Sequence, residues 1–201
     1  MRKADPVTIR GVTTRGVTIR WERPGDHAAV RRLHTEAFGD DAVARLVDVL
    51  RVAPAPLEPR SCVSEDDGEV TGHVMVTAGR LDTRQRLLDV LVLSPLAVLP
   101  SRQGHGIGSA LVVRAREVAH DCGVPLLFVE GDPGFYAARG FERADALGMR
   151  SPSLRIPRAS FQVARLPSWQ PWMTGTLVYA EPFWALDCVG LRDPLLAELG
   201  S

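Results

Sequence analysis

The apolar run Leu87 to Val98, followed closely by three alternating glycines and then by a segment of helical period, constrains this chain more than any other feature. The run has the length and the aliphatic character of a strand buried on both faces. Gly104, Gly106 and Gly108 carry no Cβ, so the backbone from Gln103 to Ser109 can take unusual dihedrals and an anion can reach its amides closely. In the segment that follows, Ile107, Leu111, Ala115, Val118 and Cys122 share one face, and Arg114, Glu117 and Asp121 form a polar stripe. Gly123 and Pro125 supply the stop. The first amides of a helix lack intrahelical acceptors, and the positive end of its dipole lies among them. A strand, a glycine turn and a helix start in that order therefore predict a cradle for a diphosphate.

Other glycine turns fit less well. A Walker loop needs Lys before Ser or Thr, whereas the last glycine here is followed by Ser109-Ala110 and the only lysine is Lys3. A dinucleotide fingerprint needs Gly-x-Gly-x-x-Gly and an acidic residue ~20 positions on, and the spacing here is Gly-x-Gly-x-Gly. A plain strand-to-helix connection without a ligand is the bland alternative. Lys plus Arg equals Asp plus Glu at 24 each, so no global field draws the chain to nucleic acid or to an anionic membrane. Without a long apolar span or a charged-then-apolar leader, the expectation is a soluble cytoplasmic protein. Cys62, Cys122 and Cys188 read as buried thiols, and neither they nor His27, His73 and His120 have metal-site spacing, so no metal is expected.

Further motifs narrow the reading. Gln103-x-x-Gly106-x-Gly108 after the strand end Leu96-Ala97-Val98, then a helix, a buried strand Pro125 to Val129 and Tyr136-x-x-x-Gly140-Phe141, resembles the GNAT acyltransferase superfamily. Pro95 to Pro100, with Gly131-Asp132-Pro133 ahead of the tyrosine, is similar to its bacterial predicted N-acetyltransferase branch. The likeness is strong over 87–150, weaker over 17–86 and faint in Gly175 to Phe183. It implies an α/β fold with a mixed, splayed sheet flanked by helices, and acetyl-CoA as co-substrate. It also implies direct acetyl transfer to a primary amine of a small molecule or peptide, with a homodimer as a further expectation. A non-catalytic acyl-CoA-binding or regulatory module is the rival from another class.

The resemblance also assigns residues. The proline in Ser94-Pro95 cannot donate to a ladder, so the strand must bulge or lie at an unpaired position there. In the family this bulge parts the strand from its parallel neighbour, and the pantetheine arm lies between them. Main-chain groups at Leu96, Ala97 and Val98 would then line the arm, with the Leu96 amide at the thioester oxygen. Gln103, Gly104, His105, Gly106, Ile107, Gly108 and Ser109 would hold the diphosphate. Tyr136 would protonate the leaving sulfur, since a phenol is a weaker acid than a thiol. For the base that takes the amine proton, the candidates are Glu130, Asp132, Asp89 and His34, with Glu130 first. The glutamate that some relatives use falls at about Val92 here, which puts a dedicated carboxylate in doubt. Arg102 reads as a surface cation near the 3′-phosphate end or as a solvated side chain. Trp169, Trp172 and Trp184 line an acceptor pocket, close the core or form a dimer contact.

The rest of the chain reads as one domain: an extension over 1–16, a core over 17–150 and a segment over 151–201 completing the sheet on the acceptor side. A strand at Val17 to Trp21 precedes a helix capped by Pro24-Gly25-Asp26 and running to about Phe38, and a second helix runs to about Val52. Ser61 to Glu65 and Val70 to Ala78 form a hairpin around Asp66-Asp67-Gly68. Strands at Phe161 to Leu166 and Thr176 to Tyr179 and a short helix around Pro194 to Leu199 end the chain.

Overall fold

The computed structural model describes residues 12–14 and 16–190; residues 1–11 of the expected extension and the helix expected at 194–199 lie outside the described residues. One mixed sheet organises the molecule. Its strands are β1 (Val12–Thr14), β2 (Val17–Trp21), β3 (Arg60–Asp66), β4 (Glu69–Thr83), β5 (Leu87–Val98), β6 (Leu126–Glu130), β7 (Glu142–Arg143), β8 (Phe161–Arg165) and β9 (Gly175–Tyr179). They lie in the order β1-β2-β3-β4-β5-β6-β8-β7, with β9 also on β4. All pairs are antiparallel except β5 with β6. The helices are α1 (His27–Phe38), α2 (Ala42–Val52), α3 (Ile107–Asp121), α4 (Pro133–Ala137) and α5 (Glu181–Ala185).

Alternation along the strands separates two cores. Val90, Val92 and Phe128 face the side covered by Leu33 of α1 and by Leu46, Val47 and Leu50 of α2. Leu91, Leu93 and Leu127 face the side covered by Leu111, Ala115 and Val118 of α3. The α3 stripe is as expected, with one correction. Arg114, assigned to the polar stripe, is buried: its guanidinium lies 5.2 Å over the Trp21 ring and pairs with Glu117 at 2.6 Å. Asp26 also differs from its expected role as a side-chain cap of α1. Its carboxylate accepts from the Arg23 amide at 2.7 Å and from Arg20 at 2.6 Å.

β4 runs five residues beyond the predicted end at Ala78 because it has partners on both edges there. β5 accompanies it to Asp82, while β3 covers the first half of its other edge and β9 the second, from Gly79 to Thr83. β9 is thereby brought beside the middle of the sheet.

The bulge expected in β5 is present. Val74 pairs with Leu96 and Val76 with Leu93, so Met75 alone faces Ser94 and Pro95. The parallel ladder to β6 consists of Leu91↔Leu127 and Val92↔Phe128. Beyond it β6 keeps its pairing with β8 as far as Glu130↔Phe161, and β5 keeps its pairing with β4. Each strand follows its outer neighbour, so the two part and a slot opens between them. Among the described residues, no helix is long and apolar enough to cross a membrane.

Candidate active site

The glycine turn leads straight into α3. Gly104 and Gly106 have φ of 77° and 85°, left-handed values that a Cβ disfavours, and Gly106 is the residue that caps the helix. Among the described residues, the amides of Gly104, His105, Gly106, Ile107, Gly108 and Ser109 have no acceptor within hydrogen-bonding distance; that of Gln103 reaches the Pro100 carbonyl at 3.4 Å. Side chains brace the turn from within. His105 donates through Nδ1 to the Gln103 carbonyl at 2.7 Å, and the Gln103 amide donates to the Val98 carbonyl at 3.2 Å. The Ser109 hydroxyl is engaged by the Arg139 guanidinium at 3.0 Å. Arg102, in contrast, pairs with Asp66 at 2.9 Å, across the β3–β4 hairpin.

The slot has directed main-chain groups on its β5 side. The Leu99 amide donates to the Thr71 carbonyl at 2.9 Å, so by the alternation of an antiparallel ladder Ala97 and Leu99 bond to β4. The main-chain groups of Leu96 and Val98 then face the other way, into the slot, as the Gln103 contact to the Val98 carbonyl bears out. Ala97 itself is buried in the α1–α2 core, and its side chain is turned from the slot.

At the open end of the slot lies a cavity of about 520 Å³, within the range of small-molecule sites. Leu93 to Leu96 form one wall and Glu130, Gly131, Asp132 and Tyr136 another; the end of α1, the start of α2, Tyr179 and Phe183 close the rest. Tyr136 sits on α4, whose first turn is capped by the Asp132 carboxylate accepting from the Phe135 amide. Its ring meets Phe135 and Phe141 edge-on at 5.0 and 5.5 Å, so the packing role and a place in the cavity coexist. Burial raises its phenol well above the usual value.

Glu130 ends β6 at the point where the strands part. Burial pushes its carboxyl up to about 7, against the opposing effects of a hydrogen bond from the Tyr179 hydroxyl and one from the Gly190 amide. A carboxylate with that affinity for protons is half in its basic form near neutral pH, which suits a general base. Asp132 also lines the cavity. Asp89 and His34 do not: Asp89 faces Arg80 at 3.7 Å on the surface, and His34 is buried with Nε2 2.9 Å from Nδ1 of His73. Val92, where some relatives carry the base, is buried in the core.

Sequence reasoning missed two features. The pairing of Tyr179 with Glu130 joins positions 49 apart on strands that are not neighbours, and no local pattern signals it. The second is the cluster of His34, His73 and Glu22, with Arg51 2.5 Å from Glu22. His34 lies on the apolar side of α1 beside Val30 and Leu33, and a polar residue on that face was the available signal. None of the three C-terminal tryptophans lines the cavity. Trp169 and Trp172 pack at the edge of the core, and Trp184 is 39% exposed.

Comparison with known proteins bears on the same region. A family model described as acetyltransferase (GNAT) domain matches residues 58–143. The uncharacterized N-acetyltransferase YjhQ of Escherichia coli K12 is 29% identical over 161 residues, spanning 78% of this chain and 88% of that protein. Among solved structures, the GNAT family N-acetyltransferase YhbS of Escherichia coli, in complex with CoA, superposes with a TM-score of 0.72 at 28% identity, covering 90% of this chain and 96% of that one. A GNAT family acetyltransferase of Brucella melitensis, in complex with acetyl-CoA, gives 0.65 at 28% identity, covering 83% and 97%.

Proposed function

Because the chain belongs to the GNAT acetyltransferase family, we propose that it transfers the acetyl group of acetyl-CoA directly to a primary amine held in the cavity between Leu96, Glu130 and Tyr136. The observation that carries the reading is the alignment of three things along one slot. These are the unpaired amides from Gly104 to Ser109, the outward-facing main chain of Leu96 and Val98, and a cavity containing both a basic carboxylate and a phenol. Six main-chain donors around a helix start fit the diphosphate of a coenzyme A. The CoA and acetyl-CoA complexes of the two bacterial relatives support that ligand for this chain.

Acetyl-CoA supplies the acetyl group as a thioester. The cradle amides and the Leu96–Val98 edge fix the direction of approach, and most of the acceleration comes from that alignment. The Leu96 amide donates to the carbonyl oxygen as negative charge develops on it. The nitrogen attacks as a neutral amine, an ammonium first giving one proton to solvent; Glu130 takes the next proton as the N–C bond forms, and Tyr179 holds the carboxylate in place. Tyr136 gives its proton to the sulfur as the C–S bond breaks. The weakened acidity of its phenol leaves that proton available at neutral pH.

Calorimetric titration with CoA, acetyl-CoA, NAD and ATP tests the cradle, with saturable heat expected for the first two alone. Release of free CoA across a panel of amines tests the transfer. Saturable CoA binding with no release from any amine would instead favour the binding-module reading.

A further inference from the structure

Resting on the transferase reading above, we propose that the acceptor is an alkylammonium: a primary amine on an apolar stem, with no carboxylate on the carbon that bears the nitrogen. The cavity has a strongly one-sided chemistry. Its charged side chains are Asp40, Glu130 and Asp132, and among the described residues lining it there is no lysine, arginine or histidine. Glu130, the deepest of the three, has a neutral phenol as its side-chain partner rather than a cation. Nearby guanidinium groups are paired with other residues: Arg155, whose charge reaches Glu130 and favours its carboxylate, is bonded to Asp187, and Arg139 to Ser109 and the Phe135 carbonyl.

An arriving ammonium therefore supplies the positive charge that the described lining lacks, while a carboxylate on the same carbon would be carried against Asp40, Asp132 and the ionised fraction of Glu130 with no counter-ion among the described lining residues. The remaining walls come from Phe38, Val43, Leu46 and Phe183, which offer an apolar surface to a hydrocarbon stem. An α-amino acid matches neither property near its amine. A free alkylamine and the side chain of a lysine match both, and they are two sources of one chemistry.

Pentylamine and norleucine differ only in the carboxylate and make the matched test; Nα-acetyl-lysine amide represents the lysine source. With the whole chain and saturating acetyl-CoA, kcat/KM for CoA release is expected to be at least tenfold higher for pentylamine than for norleucine. Pentylamine, but not norleucine, should raise the melting temperature of the CoA-saturated protein. The double variant Asp40→Asn, Asp132→Asn keeps the Oδ1 acceptors that cap the Ala42 and Phe135 amides and should narrow the preference several-fold. A better rate with Nα-acetyl-lysine amide than with pentylamine assigns the lysine source within the same chemistry. Equal or reversed rates for the matched pair overturn the inference while leaving acetyl transfer intact. No release from any acceptor, together with no heat on CoA titration, overturns the transferase reading as well.

Discussion

Replacing Gly131 by alanine displaces the proposed acid without touching the cradle. An ideal Cβ at Gly131 falls 2.1 Å from Cε2 and 2.7 Å from Cδ2 of Tyr136. Carbon atoms in ordinary contact stand no closer than about 3.4 Å, so one of the two groups has to retreat by about 1.3 Å. The main chain at Gly131 is held on both sides: its amide donates to the Ser160 carbonyl at 3.1 Å, and its carbonyl accepts from the Gln162 side chain at 3.2 Å. The Tyr136 ring is therefore the part that moves. A misplacement on the order of 1 Å in a catalytic group costs about 100-fold, so Gly131→Ala should lower kcat by about that factor. The overpacking should cost on the order of 1–3 kcal/mol of stability. Affinity for CoA, which we assign to Gly104 to Ser109, should change little. Gly134→Ala is the control on the same helix, since its added Cβ meets the Asp132 Oδ1 at 3.4 Å, an ordinary contact. Stopped-time assays of CoA release, with calorimetry for CoA binding and thermal unfolding, separate these effects. A Gly131→Ala protein with wild-type kcat would refute the argument that Tyr136 must stand where it does.

The acid limb of kcat/KM should fall near pH 7, where the buried Glu130 titrates, with about a tenth of the maximum left at pH 6. Glu130→Gln should remove the limb, and Tyr179→Phe, by taking away the hydrogen bond that favours the carboxylate, should move it to higher pH; an unmoved limb would detach Tyr179 from the base. Tyr136→Phe should reduce kcat with acetyl-CoA by about 100-fold or more while CoA affinity stays within about twofold; an undiminished kcat would assign the proton to another donor. His34 and His73 are held neutral, their protonation disfavoured first by burial. The unfolded chain binds protons there below about pH 6.5 and the folded chain does not, so stability should fall as pH drops below that point, by up to about 1.4 kcal/mol per pH unit for each histidine. Denaturant melts of wild type and His34→Gln between pH 5 and 7.5 measure it, and a flat wild-type profile would contradict the buried cluster.

Much of the fold was legible because its signals are local. A glycine turn, a helix stripe and a proline inside an aliphatic run each act over a few residues, and each predicts one event: the helix start at Ile107, the packing of Leu111 and Ala115, the bulge at Ser94-Pro95. Strand ends were less legible where a second partner prolongs the ladder, as β9 does for β4 beyond Ala78. The stripe of α3 likewise identified an apolar face but not that Trp21 would draw Arg114 beneath the surface.

The amino-acid sequence by itself determined where main-chain amides could remain unpaired and where a strand had to break, because glycine and proline set backbone options without reference to the rest of the molecule. Only the tertiary structure decided which side chains surround the reacting groups. Tyr179 reaches Glu130 because β9 attaches to the outer half of β4, and His34 meets His73 because α1 packs against that same strand. Those contacts depend on the order of strands and the placing of helices over them, and periodicity assigns a residue to a face without saying what will stand opposite it.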